Sequence, residues 1–396
     1  MTHKSSPHTN GLQWTTAGES HGPTLVAVLE GLPAGLPIDF EAVQRGMMRR
    51  WEAYGRGKRA DFEKDALSVL SGMKKGVTLG SPLTLGIGNA DQKIDELPNL
   101  AAPRPGHVDL AGVQRNQCRD IRALLERASA RETASRTALG EVASQLLAPF
   151  GIQVHAWVRG IGGVDADWAF PSDEREIAAS SAKSAFFGLD SSMDEAWKSK
   201  IEEAEEAGDS LGGVFEVAVF GCPPGLGGFE QPVDRLDARL MAALASVPAI
   251  KGVSIGAGFS AASTPGSVFH DGIYVDSESW SGLGRRSNHA GGVEGGLTNG
   301  QPLSLRAAMK PIPTLRHGVE SVDLEQHKES RATYERSDVC AVSAASVVGR
   351  AVVALEIASA LRARLGGVTF REMMTRFRAL GSEQKPAEWP AELGDL

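Results

Sequence analysis

Residues 15–22, which read Thr-Thr-Ala-Gly-Glu-Ser-His-Gly, contain side chains that could carry out proton-transfer chemistry. Gly18 and Gly22 flank Ser20 and His21, so the backbone here can approach a ligand closely while it presents an imidazole. An apolar run follows at once, and we therefore expect a loop at the start of a strand. These residues alone leave two interpretations equally open, a binding loop or a tight turn with a solvated histidine.

A cluster of cations follows the first predicted helix. Arg49 and Arg50 lie at the far end of that helix, and residues 49–59 contain five cations, among them Arg56 and Arg59. Arginines near a helix C-terminus can simply complement the helix dipole, but that role does not require so many. We interpret this segment as an anion-binding arm.

A second basic segment begins another predicted helix. Ser129 and Glu132 have the spacing of a capping box, which predicts a helix from residue 129 to about residue 147. Arg127 and Arg131 lie at its start, where free backbone amides and guanidinium groups together can bind phosphate or carboxylate. The alternative is a well-capped helix that carries surface arginines.

Glycine density is highest in residues 288–300, where paired glycines would let backbone amides line a cavity for a flat or phosphorylated ligand. The run is neither a Walker A loop nor a dinucleotide-binding GxGxxG motif, since no lysine or predicted helix follows in register. A mobile loop is an equal alternative. Three further residues could contribute to a site. Lys310 lies on a segment stiffened by prolines, and His107 follows Pro-Gly on a loop. Asp338 precedes a long apolar stretch, and it could simply cap a helix there.

Composition excludes several classes of protein. The chain has 396 residues and a formal net charge of −8, which argues against general nucleic-acid binding. Three cysteines, far apart and in no CxxC pattern, argue against a disulfide framework and a structural zinc site, so we predict no metal. No apolar run follows a basic N-terminal start, and the longest uncharged stretch is broken by glycine and proline. We expect a soluble cytoplasmic protein that contacts no membrane.

Periodic apolar patterns give the elements that must position these residues. Strands are predicted at residues 25–29, 67–70, 78–87, 152–158, 214–220 and 303–307. Helices are predicted at residues 40–51, 129–147, 236–247, from about 338 to 364, and after the capping box at 369–372. Because the candidate site segments are spread along the chain, we expect one catalytic domain over residues 12–380. Residues 1–11 and 381–396 are expected to be tails.

Taken together, these segments resemble chorismate synthase. The three signature regions of that family are matched by residues 16–22 (TAGESHG), 127–133 (RASARET) and 336–340 (RSDVC). Four more segments match in the family's order: residues 54–57 (YGRG), 104–107 (RPGH), 288–300 and 310–314 (KPIPT). The resemblance covers residues 12–365, and seven ordered matches make it specific.

The resemblance implies a fold and a reaction. The fold is an α+β sandwich in which helices pack between β layers, assembled as a homotetramer. The reaction is the 1,4-anti elimination of phosphate from 5-enolpyruvylshikimate 3-phosphate, which gives chorismate in the shikimate pathway. It implies reduced FMN (FMNH2) as a cofactor, because transient electron donation from reduced flavin helps the C–O bond to break without net redox change. NADPH or an external flavin reductant would supply the electrons.

The resemblance also implies roles for residues. His21 would protonate the leaving phosphate with Ser20 beside it, His107 would keep the flavin productively protonated, and Asp338 would relay the substrate proton with help from Ser129. The implied substrate-binding residues are Arg49, Arg50, Arg56, Arg59, Arg131 and Arg336. The implied FMN-binding residues are Arg127, Ala128, Ser129, Pro248, Ala249, Gly295, Lys310, Pro311, Ile312, Pro313, Thr314 and Arg336.

Several positions depart from the family pattern, and two alternative functions stay open. Pro248 stands where a polar residue is expected, Arg350 where glutamate is usual, and residues 115–117 read Arg-Asn-Gln instead of Lys-Tyr-Gly. One alternative is a catalytically weak paralogue that binds flavin or a phosphorylated ligand as a sensor. The other is a phosphosugar-type lyase or transferase that works without flavin.

Overall fold

The computed structural model describes residues 11–55, 65–171, 173–175, 177, 183–335 and 337–383. Its α-helices are α1 (Phe40–Glu52), α2 (Asp109–Asn116), α3 (Ile121–Ala128), α4 (Thr133–Leu147), α5 (Asp194–Ala207), α6 (Leu236–Ala245), α7 (Gly266–Phe269), α8 (Val342–Leu365) and α9 (Phe370–Glu383). Its first eight strands are β1 (Gln13–Ala17), β2 (Thr24–Glu30), β3 (Leu67–Ser71), β4 (Met73–Lys74), β5 (Val77–Thr78), β6 (Leu83–Gly88), β7 (Gln153–Ile161) and β8 (Val164–Asp165). The later strands are β9 (Gly213–Phe220), β10 (Ile250–Ile255), β11 (Ile273–Val275), β12 (Leu283–Arg285), β13 (Val293–Glu294), β14 (Leu297–Thr298), β15 (Leu303–Met309), β16 (Glu320–Asp323) and β17 (Lys328–Arg331).

The first large sheet has the strand order β1-β2-β6-β3, and all its pairings are antiparallel. β2 shows the period-two alternation of a strand with one buried face, since Leu25, Ala27 and Leu29 are fully buried. The connection from β1 to β2 contains the Ser-His segment, so the register of this hairpin fixes where His21 lies.

The second large sheet has the order β10-β15-β9-β7-β8, again antiparallel throughout. Its central strand β9 is buried over most of its length, and Phe215, Val217 and Val219 are fully inaccessible. At one edge, β10 leads out of residues 248–249, and β15 leads into residues 310–314. The sheet therefore brings two of the predicted flavin-binding segments side by side.

A layer of helices lies between the two sheets. α4 packs against β2 and β6 of the first sheet, whereas α8 packs against β7 and β9 of the second, and α4 and α8 pack on each other. The backbones approach closely at Gly140, where an added Cβ would lie 2.4 Å from the Cβ of Ala351. The predicted α+β sandwich with helices between β layers is confirmed.

α8 is long and apolar enough to cross a membrane by length and composition, with a mean hydropathy of 1.6. However, 89% of its apolar window is buried inside the protein, which is typical of the core helix of a soluble protein. Its apolar character is accounted for by the second sheet and the helices that pack around it.

Local sequence explains the first helix. The Asp39 side chain accepts a hydrogen bond of 3.0 Å from the amide of Ala42, which caps α1 as predicted. Val43 and Met47 bury one face in the core, and Arg50 is buried on the same helix. A buried arginine on an otherwise ordinary amphipathic helix requires a buried partner.

Three predictions of local structure need correction. The helix predicted from residue 129 begins as a 3-10 turn over Ala130–Glu132, and α4 starts at Thr133. The strand predicted over residues 78–87, with an edge or bulge at Gly80-Ser-Pro82, is instead two strands, because β5 ends at Thr78 and β6 begins at Leu83 after a turn at those residues. The cap suggested for Asp338 is wrong, since α8 begins at Val342 and Ala341 occupies the N-cap position.

Candidate active site

His21 is held by a buried carboxylate on α3. Its backbone amide donates to Oε2 of Glu126 at 2.9 Å, and its Nδ1 lies 2.8 Å from the same oxygen. Burial alone would raise the pKa of Glu126, but the hydrogen bonds and charge of His21, helped by Arg122, outweigh burial and lower that pKa. An ionised carboxylate only accepts, so Nδ1 carries a proton and Nε2 is the atom left to exchange one. The side chain of His21 remains 22% exposed, which gives Nε2 access to a ligand.

The Ser-His loop is anchored by backbone geometry and by α3. Gly18 adopts φ +103°, and a Cβ there would lie 2.5 Å from the carbonyl oxygen of Thr24, so the turn requires glycine. The amide of the buried Ser20 donates to the carbonyl of Glu126 at 3.0 Å. Arg127 donates to the carbonyl of Thr16 at 2.9 Å. The first two signature regions are thereby fixed against each other.

Arg50 and Arg131 share one buried carboxylate. The Nη2 of Arg50 and the Nη1 of Arg131 each form an ion pair with Asp65, one to each carboxylate oxygen. The indole of Trp51 donates to the same carboxylate at 2.9 Å. Although burial by itself raises the pKa of Asp65, the two guanidinium charges outweigh it and lower that pKa. Asp65 therefore stays ionised and holds two predicted substrate-binding arginines together.

Asn89 joins this basic cluster to the Ser-His loop. Its side-chain oxygen accepts from Nε of Arg131 at 2.7 Å. Its side-chain nitrogen donates to the carbonyls of Glu19 at 3.0 Å and Gly22 at 2.7 Å. A single buried amide thus connects the residues on either side of His21 with Arg131. The imidazole and the two arginines belong to one continuous polar network.

His107 lies in a second polar cluster. Its Nδ1 is 2.5 Å from Oδ1 of the fully buried Asp109, and the same carboxylate accepts from Nε of Arg104 at 2.8 Å. Burial opposes ionisation of Asp109, but the hydrogen bonds from His107 and Arg104 prevail and lower its pKa strongly. Nη2 of Arg104 also lies 3.0 Å from this Nδ1, but an ionised carboxylate only accepts, so Nδ1 donates to Asp109 and Nε2 is the ring nitrogen left to exchange a proton. Arg104 also donates to Oγ1 of Thr314 at 3.3 Å, which ties this loop to the proline-stiffened segment.

Lys310 lies against the same loop. A Cβ on Gly106 would be 3.9 Å from Nζ of Lys310 and 3.6 Å from Cβ of Pro313, so a larger residue there would fill the space beside the lysine. Burial, and then the nearby charge of Lys251, lower the pKa of Lys310. A half-buried lysine with an exposed lysine beside it favours an anionic ligand.

Ala249 is next to Lys310 through the second sheet. The amide of Lys310 donates to the carbonyl of Ala249 at 3.0 Å, and Ala249 adopts φ 70° in the left-handed region. Ser246, three residues before Ala249, accepts at its hydroxyl oxygen from Arg136 on α4 at 2.9 Å. The carboxylate of Glu132 accepts from the same arginine at 2.8 Å. These contacts bring residues 248–249, which include Pro248, close to the start of α4.

Glu132 does not complete the predicted capping box. Its carboxylate accepts from Oγ1 of Thr16 at 2.9 Å and from Arg136. Ser129, half-buried beside the exposed Ala128, does cap the 3-10 turn by accepting from the amide of Arg131 at 3.3 Å. Glu132 thus fastens β1 to α4 and leaves the hydroxyl of Ser129 at the edge of the site.

The segment around Asp338 runs alongside the proline-stiffened segment. The amide of Leu211 donates to the carbonyl of Val339 at 2.9 Å, and the hydroxyl of the preceding Ser210 donates to the carbonyl of Ile312 at 2.6 Å. Arg122 on α3, which also approaches Glu126, forms an ion pair with Glu335 at 3.0 Å. Asp338 is half-buried, and in the chain it lies between Glu335, which pairs with Arg122, and Val339, which accepts from Leu211.

Not every predicted site residue joins these clusters. Arg56, Arg59 and Arg336 lie outside the described residues. Arg49 is turned away from Arg50 and lies with its Cζ 4.8 Å from the ring centroid of Phe187. Gly295 is at the tip of the β13-β14 hairpin, and a Cβ added to it would have no heavy atom of the described residues within 4 Å. The roles of these five residues, like those of the residues in the clusters, remain predictions.

The acidic and amide residues that organise the site were not predicted from the sequence. Asp109 and Glu126 each orient a histidine, and Asp65 and Asn89 order the arginines. Asp109 stands two positions after His107, and this short spacing could have indicated that the two side chains contact each other. The other three gave no signal, because they are brought to their partners only by folding. Among the described residues, no group of three or more His, Cys, Asp or Glu side chains could hold a metal ion.

Comparisons with known proteins agree on one family. A family model described as chorismate synthase matches residues 12–361. The protein named chorismate synthase from Geobacter sulfurreducens is 48% identical over 383 residues, which cover 92% of this chain and 97% of that protein. Its namesake from Pelobacter propionicus is 47% identical, with 93% and 98% covered. A solved crystal structure of a chorismate synthase matches with a TM-score of 0.79 at 38% identity and covers 94% of this chain and 98% of that chain.

Proposed function

The chain belongs to the chorismate synthase family, and from that premise we propose how its own residues carry out the family's reaction. The enzyme is a lyase that eliminates phosphate from 5-enolpyruvylshikimate 3-phosphate to give chorismate. A C–O bond to phosphate breaks and a C–H proton leaves, so the products are chorismate and phosphate without net oxidation. The observation that carries the proposal is the continuous network from Glu126 and His21 through Asn89 to Arg131, Asp65 and Arg50.

His21 is proposed as the acid for the departing phosphate. Glu126 fixes Nδ1 as a donor, so Nε2 is the ring nitrogen that would give a proton to a phosphate oxygen. Ser20 keeps the loop in place through its amide. Arg50 and Arg131, with Arg56, Arg59 and Arg336 as further predicted members, would bind the phosphate and carboxylates of the substrate, whereas Arg49 faces Phe187 instead. Several buried anions need this many cations, because an unpaired buried charge costs several kcal/mol.

The residues present fit reduced FMN. Lys310 and Lys251 form a cationic pair, and Gly106 leaves room beside them that a Cβ would occupy. The cofactor would be held by Arg127, Ala128, Ser129, Pro248, Ala249, Gly295, residues 310–314 and Arg336. When bound, the reduced flavin would supply transient electron density that eases cleavage of the C–O bond.

The remaining roles belong to His107, Asp338 and Ser129. Because Asp109 accepts from Nδ1 of His107, Nε2 is the ring nitrogen that would hold a proton at the edge of the flavin site. Asp338 would accept the proton that leaves the substrate, with the hydroxyl of Ser129 beside it. Asp338 is half-buried close to residues 310–314, and this position supports the assignment.

Assembly, location and electron supply are proposed on the same basis. We propose a homotetramer in the cytoplasm. Self-association is supported by apolar side chains that a single chain leaves exposed between residues 259 and 275; the most exposed are Phe259, Val275, Val268 and Ile273. An external flavin reductant, with NADPH as the electron source, would keep the cofactor reduced.

Anaerobic turnover of 5-enolpyruvylshikimate 3-phosphate, with and without chemically reduced FMN, tests the proposal. We expect chorismate only when reduced FMN is present. Product without flavin would overturn the cofactor assignment. Binding of both ligands without product would instead identify a sensor-like paralogue. Sedimentation velocity of the same preparation would test the tetramer.

A further inference from the structure

A cavity of about 550 Å³ opens between the C-terminal end of α1, the helices α4 and α8, and strand β7. Its polar lining includes Arg49, Arg350 and His155, and its apolar lining includes Ile177 and Phe187. A volume of this size suits a small organic molecule, and the mixture of apolar wall and a few polar groups is typical of ligand sites.

Arg49 contributes a cation that is not neutralised locally. Its guanidinium lies over the ring of Phe187, and within the described part of the chain no carboxylate forms an ion pair with it. Burial, and then the neighbouring charge of Arg350, lower the pKa of Arg49. A guanidinium stacked on an aromatic ring leaves its N–H edge free to meet an anion.

His155 contributes an unused hydrogen-bonding atom. Its Nε2 is buried and has no hydrogen-bond partner among the described residues. Burial, then Arg350 and Arg49, lower the pKa of His155 to about 4, so the imidazole is neutral near pH 7. A buried polar atom without a partner is costly, and a ligand oxygen that accepts from Nε2 would remove that cost.

The acidic groups nearby do not fill the site. Glu141 forms an ion pair with Arg350 rather than with Arg49, although its charge still acts on Arg49 and partly offsets the lowering of its pKa. Glu52 is exposed on the last turn of α1, where water screens it. A small anion inside the cavity would therefore supply the direct ion pair to Arg49 that neither carboxylate forms among the described residues.

This cavity is separate from the network that contains His21. Successive residues on a helix point about 100° apart, so Arg49 and Arg50 face different directions. Arg50 donates to Thr133 and pairs with Asp65, whereas Arg49 faces Phe187 and Arg350. One helix end thus serves two sites.

We propose that this cavity is a second anion-binding site, which takes a small organic anion with its phosphate or carboxylate head between Arg49, Arg350 and Nε2 of His155. The apolar body of the ligand would pack against Ile177 and Phe187. The proposal goes beyond the elimination reaction, since none of these contacts involves the His21 or His107 clusters.

The test is a titration of the full-length protein with phenyl phosphate, benzoate and inorganic phosphate at constant ionic strength. The readout is the ¹H–¹³C signal of His155, assigned with His155→Gln. We expect saturable binding of phenyl phosphate, benzoate or both, and a rise of at least one pH unit in the imidazole titration midpoint of His155. The ligand that binds tells whether the head is a phosphate or a carboxylate.

Variants locate the binding. Arg350→Gln should weaken it at least tenfold, whereas Arg371→Gln, which removes an exposed arginine on α9, should leave it unchanged. Arg131→Gln should also leave the His155 signal responsive, since Arg131 belongs to the other network. Ser144→Glu, on the half-buried cavity side of α4, should block binding with a carboxylate of its own even if Arg350→Gln fails to fold.

Three outcomes would overturn the proposal. They are the absence of a saturable His155 response to any probe, equal binding of inorganic phosphate and phenyl phosphate, and full binding that persists in Ser144→Glu. The second outcome would show that the apolar part of the ligand adds nothing to binding. The third would show that the ligand binds outside this cavity.

Discussion

Glu126 binds His21 at two points, by accepting from the backbone amide at 2.9 Å and by lying 2.8 Å from Nδ1. The carboxylate is fully buried, whereas the imidazole is 22% exposed. One residue therefore sets the position of the loop, the tautomer of the ring and the charge behind it. The catalytic contribution of His21 should depend on Glu126 as much as on the imidazole itself.

We expect Glu126→Gln to lower kcat by about 10²-fold, because an amide can donate to Nδ1 and would favour the wrong tautomer. His21→Ala should lower kcat by about 10²–10⁴-fold, and the double variant should fall little further, since the two act as a unit. Reduced FMN should still bind. Glu320→Gln removes an exposed carboxylate on β16 and serves as the control. Fully additive losses would contradict the coupling.

Asp65→Asn removes the charge that holds Arg50 and Arg131 together. We expect the KM for the substrate to rise about tenfold or more, and the free energy of unfolding to fall by about 3 kcal/mol, because two buried guanidiniums lose their counter-ion. Steady-state kinetics and urea unfolding would measure both. Trp51→Phe is the matched control, since it removes one hydrogen bond to Asp65 and keeps both ion pairs. An unchanged KM would separate Asp65 from substrate binding.

Asp109→Asn tests how His107 is oriented. The amide cannot accept from both Arg104 and Nδ1 as the carboxylate does, so the loop should lose its alignment with Thr314. Removing an orienting partner of this kind typically costs 10–100-fold, and we expect an increase of about that size in the Kd for reduced FMN. Anaerobic fluorescence titration would measure it. The exposed Asp167→Asn is the control, and an equal loss there would refute the specific role.

His155 should make stability depend on pH. Its pKa is lowered from 6.5 to about 4 by burial, Arg350 and Arg49, so the unfolded chain binds the extra proton first as pH falls. The stability from the neutral imidazole is present above pH 6.5 and is lost as pH falls toward 4. With partial exposure discounted, about 1–2 kcal/mol is at stake. Urea unfolding in anion-poor buffer should show this slope for the native protein, and a slope retained in His155→Gln would contradict it.

Ala249 should be replaceable by glycine with a gain in stability. Its φ of 70° is in the left-handed region, which costs a non-glycine residue about 1–2 kcal/mol. After the entropy that glycine adds to the unfolded chain, Ala249→Gly should stabilise the fold by about 0.5 kcal/mol. Ala249→Val should destabilise it, because a β-branched side chain tolerates this region poorly. Thermal unfolding of both variants decides the matter, and shifts of the same sign would exclude backbone strain as the cause.

Local patterns in the sequence were sufficient for the elements and for the family. The cap at Asp39, the alternation in β2 and the glycines around Ser20 and His21 each depend on neighbours within a few residues, and the structure confirms those elements. The ordered motifs also predicted the family correctly. The local pattern gave a wrong prediction for Glu132. It has capping-box spacing, but its carboxylate accepts from Thr16 and Arg136 instead of capping the helix.

Only the tertiary structure decided which residues meet. Asp65 comes to Arg131 across 66 positions, and Glu126 comes to His21 across 105, so no spacing could have paired them. It also separated Arg49 from Arg50, which are adjacent in sequence but point to different sides of one helix. The physical reason is that the sequence encodes propensities and one-sided burial locally, whereas buried charges find their partners only when the layers pack.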